Sequence, residues 1–104
     1  MAQLGDPFVG NVPKKLGMPE MLQALRVDIA GELEAIMGYE AHIMATDDPR
    51  IKKVLSHIAN EERQHVGELQ QLLMVLSPNE GTYFQQGQQA IQQQEAQNFQ
   101  PPIQ

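Results

Sequence analysis

The sequence contains no cysteine and no tryptophan, and aromatic residues make up only 5% of its 104 residues. Without cysteine the chain cannot form disulfide bonds, thiolate zinc sites, iron–sulfur sites or thiol nucleophiles. The scarcity of aromatic side chains leaves little material for stacking nucleic-acid bases or sugars. Any metal chemistry must therefore use oxygen and imidazole ligands, and leucine and methionine must supply most of the core.

Basic residues are also scarce, with seven Lys and Arg against thirteen Asp and Glu and a net charge of -6. This balance argues against nucleic acid and an anionic membrane surface as main partners. No apolar run approaches the length of about 18 residues that a membrane span needs, and the start MAQLGDPFVG has neither the basic nor the apolar segment of a secretory signal. We expect a soluble, cytoplasmic protein.

Composition divides the chain into three segments. Residues 1–18 are interrupted by five glycines and prolines, which predicts a flexible, extended arm. Residues 19–76 hold two helical patterns of apolar residues, which predict a helical hairpin. Residues 77–104 are rich in glutamine and are expected to form either a short helix or a partly disordered tail.

The two predicted helices have clear boundaries. The first runs from Pro19, a favoured first helical residue, to about Ala45. The second runs from Pro49 to about Leu76, because Asp48 can cap the free amides of a helix that begins with proline. The predicted fold class is all-α, an antiparallel two-helix hairpin. A hairpin of this size buries too little surface to be stable alone, so a homo-oligomer is expected.

Two polar residues interrupt the apolar face of the second helix. Glu62 and His65 are three residues apart and so lie on the same face, which is the Glu-x-x-His arrangement of di-iron and di-manganese helical bundles. A lone glutamate in such a face more often reaches solvent, and a lone histidine more often packs in a core. The face is predicted from the residues Ile51, Leu55, Ile58, Glu62, His65, Leu69, Leu72 and Leu76.

One carboxylate interrupts the apolar face of the first helix in the same way. Glu32 precedes Asp47 by as many residues as Glu62 follows it, so an antiparallel hairpin places the two carboxylates at the same height. No lysine or arginine lies in either face, and an unpaired carboxylate in a dry core costs several kcal/mol unless it is protonated or metal-bound. The face comprises Leu22, Leu25, Ile29, Glu32, Ile36, Tyr39 and Ile43.

The predicted ligand set is half of a known one. Ferritin-like four-helix bundles hold two metals with a Glu from each of two helices and a Glu-x-x-His from each of the other two. Glu32, Glu62 and His65 supply half of these ligands, so a dimer of hairpins would complete the bundle and its site. Carboxylates with one imidazole per metal favour iron, with manganese as the alternative, over structural zinc.

Three further residues are candidates for supporting roles. Tyr39 follows the first-helix carboxylate by two turns, where it either packs, hydrogen-bonds a ligand or supplies an electron. Glu34 and Glu61 lie beside the apolar faces, where they either form a solvated surface or guide metal inward. Glu61 also competes with Glu62 as a ligand, because a residue four before a histidine shares its face.

The chain resembles the encapsulated ferritins, a half-ferritin family of two-helix subunits, over about residues 20–76. The resemblance implies iron ligands at Glu32, Glu62 and His65 shared between two subunits, a nearby Tyr39, a decameric ring and an encapsulin shell that encloses the ring. The motifs that carry the resemblance are Gly31-Glu32-Leu33-Glu34-Ala35, Tyr39, Thr46-Asp47-Asp48-Pro49 and Glu61-Glu62-Arg63-Gln64-His65.

The chain also departs from that family. Gly31 and Gly38 stand where the family has an acidic residue before the first ligand and an aromatic residue before the tyrosine. The final residues FQPPIQ do not resemble the short apolar peptide with which family members dock in an encapsulin shell.

Three functions compete at this point. The first is a ferroxidase that oxidises Fe(II) to Fe(III) with oxygen or peroxide, in support of iron storage and detoxification. The second is a peroxide scavenger similar to rubrerythrin or manganese catalase, which would use the same ligands. The third is a non-enzymatic helical assembly protein in which the carboxylates are structural, and it predicts assembly that is indifferent to metal.

Overall fold

A computed structural model describes residues 15–97 of the chain. This part consists of three α-helices and contains no strand: α1 (Met18–Met44), α2 (Pro49–Leu76) and α3 (Pro78–Gln97). The predicted all-helical class is confirmed. No helix in this part is both long and apolar enough to cross a membrane.

The division into arm, hairpin and glutamine-rich segment stays a prediction. Residues 1–14 and 98–104, which hold most of the predicted arm and the sequence FQPPIQ, lie outside the described residues. Within the glutamine-rich segment, the alternatives of helix and disordered tail are resolved in favour of a helix as far as Gln97.

Local hydrogen bonds explain where α1 and α2 begin. The Gly17 amide donates to the Glu20 carboxylate at 3.4 Å at the start of α1. At the start of α2 the Asp48 carboxylate accepts from the Arg50 amide at 2.8 Å, as predicted for a capping residue. The Arg50 guanidinium also bonds this carboxylate at 2.8 Å, and the two contacts hold the pKa of Asp48 below its usual value.

The contacts between α1 and α2 show that the helices run antiparallel. Lys52, early in α2, donates from Nζ to the Ile43 carbonyl, late in α1, at 3.0 Å. His65, later in α2, lies beside Glu32, earlier in α1. The lysine satisfies a carbonyl that the helix end leaves free and places a cation at the negative end of the α1 dipole.

Among residues 15–97 the buried core is small and is supplied by these two helices. Its members are Leu25 of α1 and Ala59 and Leu73 of α2. The predicted apolar face of α1 is buried or half-buried throughout. A core this small agrees with the expectation that a single copy does not bury enough apolar surface to be stable alone.

The predicted apolar face of α2 is wrong at both of its ends and at His65. Half of its eight positions are exposed in the structure, while Ala59 and Leu73, which the prediction omitted, are the most buried residues of α2. The apolar stripe on α2 is wider than the surface that a single neighbouring helix covers, and α1 covers one side of it. The exposed predicted positions are Ile51, His65, Leu72 and Leu76.

The third helix is attached to the hairpin through its first turn. The Arg26 guanidinium of α1 donates to the Glu80 carboxylate at 2.7 Å. A Cβ on Gly81 would lie 3.4 Å from the Met74 Cβ, so the α3 backbone approaches α2 closely at that glycine. Phe84 is half-buried, and the helix is exposed beyond it.

Candidate metal centre

Three predicted ligands converge between α1 and α2. Glu32, Glu62 and His65 each offer one ligand atom, and these atoms all lie within 4.8 Å of one another. His65 Nδ1 is 3.5 Å from Glu32 Oε2 and 3.9 Å from Glu62 Oε1. Antiparallel packing brings Glu32 to the same position along the helix axis as Glu62 and His65, as the sequence predicts.

One atom of this cluster has no hydrogen-bond partner. Glu32 Oε2 is buried and accepts no hydrogen bond, and among the described residues it is the only buried side-chain oxygen or nitrogen without a hydrogen-bond partner. Leaving a buried acceptor unsatisfied costs about 1–3 kcal/mol, and more when the group is charged. A cation at this position would remove the penalty, so the donor set fits a divalent metal such as Fe(II).

In the part of the chain that the structure describes, no lysine or arginine pairs with the cluster. Among the described residues, the ion pairs of Glu32 and Glu62 involve only His65. Arg63 is adjacent to Glu62 in sequence, but its guanidinium bonds Glu40 and Asn60 instead. No lysine or arginine of the described residues therefore competes with a metal cation for these two carboxylates.

The cluster opens onto an exposed apolar flank of α2. The His65 side chain is 47% exposed, compared with 26% for Glu32 and 19% for Glu62. Three apolar residues that share this flank with His65 at helical spacing are also exposed: Ile51, Val54 and Leu72. In a single copy the site is therefore covered on the α1 side and open on the other.

The three supporting candidates lie outside this cluster. Tyr39 is half-buried and follows Glu32 by two turns, or about 10 Å along the helix axis. Glu34 is half-buried on a different side of α1 from Glu32. Glu61 is exposed and pairs with His57, whose Nε2 lies 3.0 Å from Glu61 Oε1.

Two side-chain bridges, His57–Glu61 and Arg63–Glu40, are not predicted from the sequence. The spacing of four residues between His57 and Glu61 is nevertheless a recognisable signal for a helix. The bond between Arg63 and Glu40 has no local signal, because the two residues belong to different helices. Both bridges join surface side chains, and neither involves Glu32, Glu62 or His65.

Comparisons with known proteins identify the class. The family model described as ubiquinone biosynthesis protein COQ7 matches residues 19–81, which includes both long helices and all three clustered ligands. Two relatives from Myxococcus xanthus are encapsulin nanocompartment cargo proteins: EncC is 37% identical over 75% of this chain, and EncB is 35% identical over 58%. A ferritin-like–encapsulin shell fusion protein from Pyrococcus furiosus is 35% identical over 79% of this chain.

The chain is shorter than these relatives and spans 60% of EncC, 38% of EncB and 24% of the fusion protein. The crystal structure of the encapsulated ferritin domain from Pyrococcus furiosus matches with a TM-score of 0.76 and 30% identity, over 94% of this chain and 97% of that domain. The fold and its family match define a ferritin-like helical protein. Within that class, the chain belongs to the encapsulated ferritins.

Proposed function

We propose that this chain is a ferroxidase that oxidises Fe(II) at a di-iron site formed between two copies. The observation that carries the proposal is the convergence of Glu32, Glu62 and His65 around a buried carboxylate oxygen that has no hydrogen-bond partner. Two copies would supply four carboxylates and two imidazoles, which is the full ligand set of a ferritin-like site. Two Fe(II) ions would balance the four negative charges.

The exposed flank of α2 supports the pairing of two copies. Ile51, Val54 and Leu72 lie on the same side of α2 as His65 and leave apolar surface in contact with water. A second hairpin placed there would bury this surface and bring its own three ligands to the same point. Metal binding would then strengthen the association by linkage, because only the paired state holds the complete site.

The proposed reaction uses iron as substrate. Two Fe(II) ions give two electrons to one oxygen molecule, which takes up two protons to form hydrogen peroxide and leaves two Fe(III) ions. Peroxide can serve as the oxidant instead, with water as the product. Glu32, Glu62 and His65 hold the ions, and hard carboxylate oxygens stabilise the ferric product. Tyr39 is too far along α1 to ligate iron held by its own chain. Its proposed role is to pass an electron to the oxidant and to be reduced again by Fe(II), so that the two Fe(II) ions remain the net source of both electrons.

The test compares variants with matched controls. Fe(II) is added in air to metal-free protein, and ferric absorbance is followed for wild type, Glu32→Ala and His65→Ala. Glu68→Ala and His42→Ala are the controls, because they remove an exposed glutamate and an exposed histidine outside the cluster. We expect fast oxidation in wild type and both controls, and the protein-free rate in the two ligand variants.

Two results would favour the other functions. Rapid decomposition of peroxide by the manganese-loaded protein, without Fe(II) oxidation, would support a peroxide scavenger. Oxidation at the protein-free rate in wild type, together with assembly that does not respond to iron, would support a structural protein. Glu34 and Glu61 are proposed only as groups that guide iron inward, so substituting either should slow uptake and leave iron stoichiometry unchanged.

We further propose that the assembled protein works inside an encapsulin compartment in the cytoplasm, with a decameric ring as the assembly. The support is that two relatives are encapsulin cargo proteins and a third is fused to a shell. Native mass measurement of the iron-loaded protein should give ten chains. Co-expression with a cognate encapsulin, followed by shell purification, should recover this chain inside the shell. Its absence from purified shells would contradict encapsulation without affecting the ferroxidase proposal.

A further inference from the structure

One basic residue lies next to the proposed iron ligands. Arg63 directly follows Glu62 on α2 and is the last lysine or arginine in the sequence. Because Glu32 and Glu62 lie at the same position along the hairpin, the Arg63 backbone is only about 1.5 Å from the height of Glu32. A guanidinium binds carboxylates through a fork of charged N–H groups, so Arg63 is placed to compete with a metal for the cluster.

The Arg63 guanidinium instead bonds two acceptors outside the cluster. It donates to the Glu40 carboxylate of α1 and, at 3.1 Å, to Asn60 Oδ1 one turn earlier on α2. Glu40 follows Glu32 by eight residues, or about 12 Å along the axis of α1. The two bonds therefore draw the guanidinium along the hairpin and away from the height of Glu32.

The antiparallel arrangement of the helices makes this long bridge possible. Side chains lean toward the N-terminus of their own helix, so Arg63 on α2 and Glu40 on α1 lean toward each other along the hairpin. The Arg63 side chain is 48% exposed and the Glu40 side chain is 50% exposed. An ion pair as exposed as this one contributes little to stability, so bracing the two helices is at most a minor role for it.

A released Arg63 would find an open acceptor in the cluster. Glu32 Oε2 is buried and has no hydrogen-bond partner. A guanidinium bonded to this oxygen would satisfy it, offset its negative charge and occupy the space where a metal ion is expected. The bonds from Arg63 to Glu40 and Asn60 therefore keep the Glu32 carboxylate open to a cation.

We propose that Glu40 is a positioning residue that holds Arg63 out of the iron site. The inference rests on the proposed function in one respect, because it assigns Fe(II) to the cluster of Glu32, Glu62 and His65. It does not depend on oxidation of the bound iron. Glu40 acts on the site through Arg63, so releasing Arg63 weakens metal binding and removing Arg63 as well restores it.

The first test is an anaerobic Fe(II) titration of the full-length protein, followed by calorimetry. We expect Glu40→Gln to bind Fe(II) about tenfold more weakly than wild type, the effect of one hydrogen bond to a charged group. Arg63→Gln should bind as wild type does, and a double variant with Glu40→Gln and Arg63→Gln should recover wild-type affinity. The matched control is Glu68→Gln, which removes one negative charge at an exposed position outside the cluster and should leave the affinity unchanged.

The second test needs no metal. In the Glu40→Gln background, Glu32→Gln should lower the melting temperature of the metal-free protein by about 4 °C more than it does in the wild-type background. The reason is that Arg63 bonds Glu32 only when Glu40 no longer holds it. Adding Arg63→Gln should remove this difference between the two backgrounds.

Two results would overturn the proposal. Equal weakening of Fe(II) binding by Glu40→Gln and Arg63→Gln, without recovery in the double variant, would show that the bridge only braces the helices. Wild-type affinity in Glu40→Gln, with the same effect of Glu32→Gln in both backgrounds, would show that Arg63 does not reach the site. The proposed function fails differently: wild-type protein that binds Fe(II) without accelerating its oxidation would contradict the ferroxidase, while the affinities and melting temperatures would still decide the role of Glu40.

Discussion

Glu32 Oε2 of α1 lies 3.5 Å from His65 Nδ1 of α2, and this oxygen is buried without a hydrogen bond. The two residues belong to different helices and meet only because the helices run antiparallel. A carboxylate held beside an imidazole, with a second carboxylate within ligand distance, is arranged for a metal ion. The same arrangement in the absence of metal costs stability.

Neutralising the Glu32 carboxylate separates its effect on the stability of the metal-free fold from its role in binding iron. Glu32→Gln keeps the shape of the side chain but removes the charge that binds iron. We expect the melting temperature of the metal-free variant to stay within about 4 °C of wild type, the shift that about 1 kcal/mol gives in a small domain. The rise in melting temperature on adding Fe(II) anaerobically should disappear. Glu68→Gln, which changes an exposed glutamate, should keep that rise.

The two neighbouring leucines of α2 should behave differently. Leu73 is 2% exposed and Leu72 is 44% exposed. Leu73→Ala should lower the free energy of unfolding by about 2–5 kcal/mol, because it empties space in the core. Leu72→Ala should change the stability of the dilute metal-free protein by no more than about 0.5 kcal/mol. It should weaken dimer formation, measured by sedimentation at increasing concentration. Similar unfolding losses in both variants would contradict the described packing.

The sequence predicts the helix boundaries and the relative positions of the candidate ligands, but it does not predict which of Leu72 and Leu73 is buried. The helix boundaries at Asp48 and Pro49 and the height of Glu32 relative to Glu62 follow from local chemistry and from the fixed rise of a helix, so the sequence predicts them. The side of α2 that packs against α1 cannot be predicted from the sequence in this way, because the apolar stripe of α2 is wide enough to face two neighbouring helices. The sequence therefore placed Leu72 in the buried face and missed Leu73.

The stabilising effect of Asp48 at the start of α2 should decrease at low pH. The Arg50 side chain is the main cause of the lowered pKa of Asp48. Because the pKa is lower in the folded state, this carboxylate stabilises the fold above its unfolded pKa of about 3.9, and the contribution is lost as the pH falls through the folded value. The melting temperature of Asp48→Ala should lie below wild type at pH 7, and the difference should shrink on acidification below about pH 4. A difference that is constant from pH 7 to pH 2 would exclude the charged cap.

Tyr39 should affect the rate of oxidation but not the binding of iron. It follows Glu32 by two turns, which places it near the proposed site without making it a ligand in its own chain. In Tyr39→Phe we expect wild-type iron stoichiometry, measured anaerobically, and slower appearance of ferric absorbance after oxygen is added. An unchanged rate would assign Tyr39 to packing alone, and a lost iron site would show that the phenol holds a ligand in place.

The central claim is that two copies share one di-iron site, and native mass spectrometry of an anaerobic Fe(II) titration tests it most directly. We expect iron only on species with an even number of chains, at one iron per chain, with single chains remaining metal-free. Glu32→Ala and His65→Ala should carry no specifically bound iron on any species. Iron bound to single chains, or iron on wild type and both variants alike, would contradict the shared site.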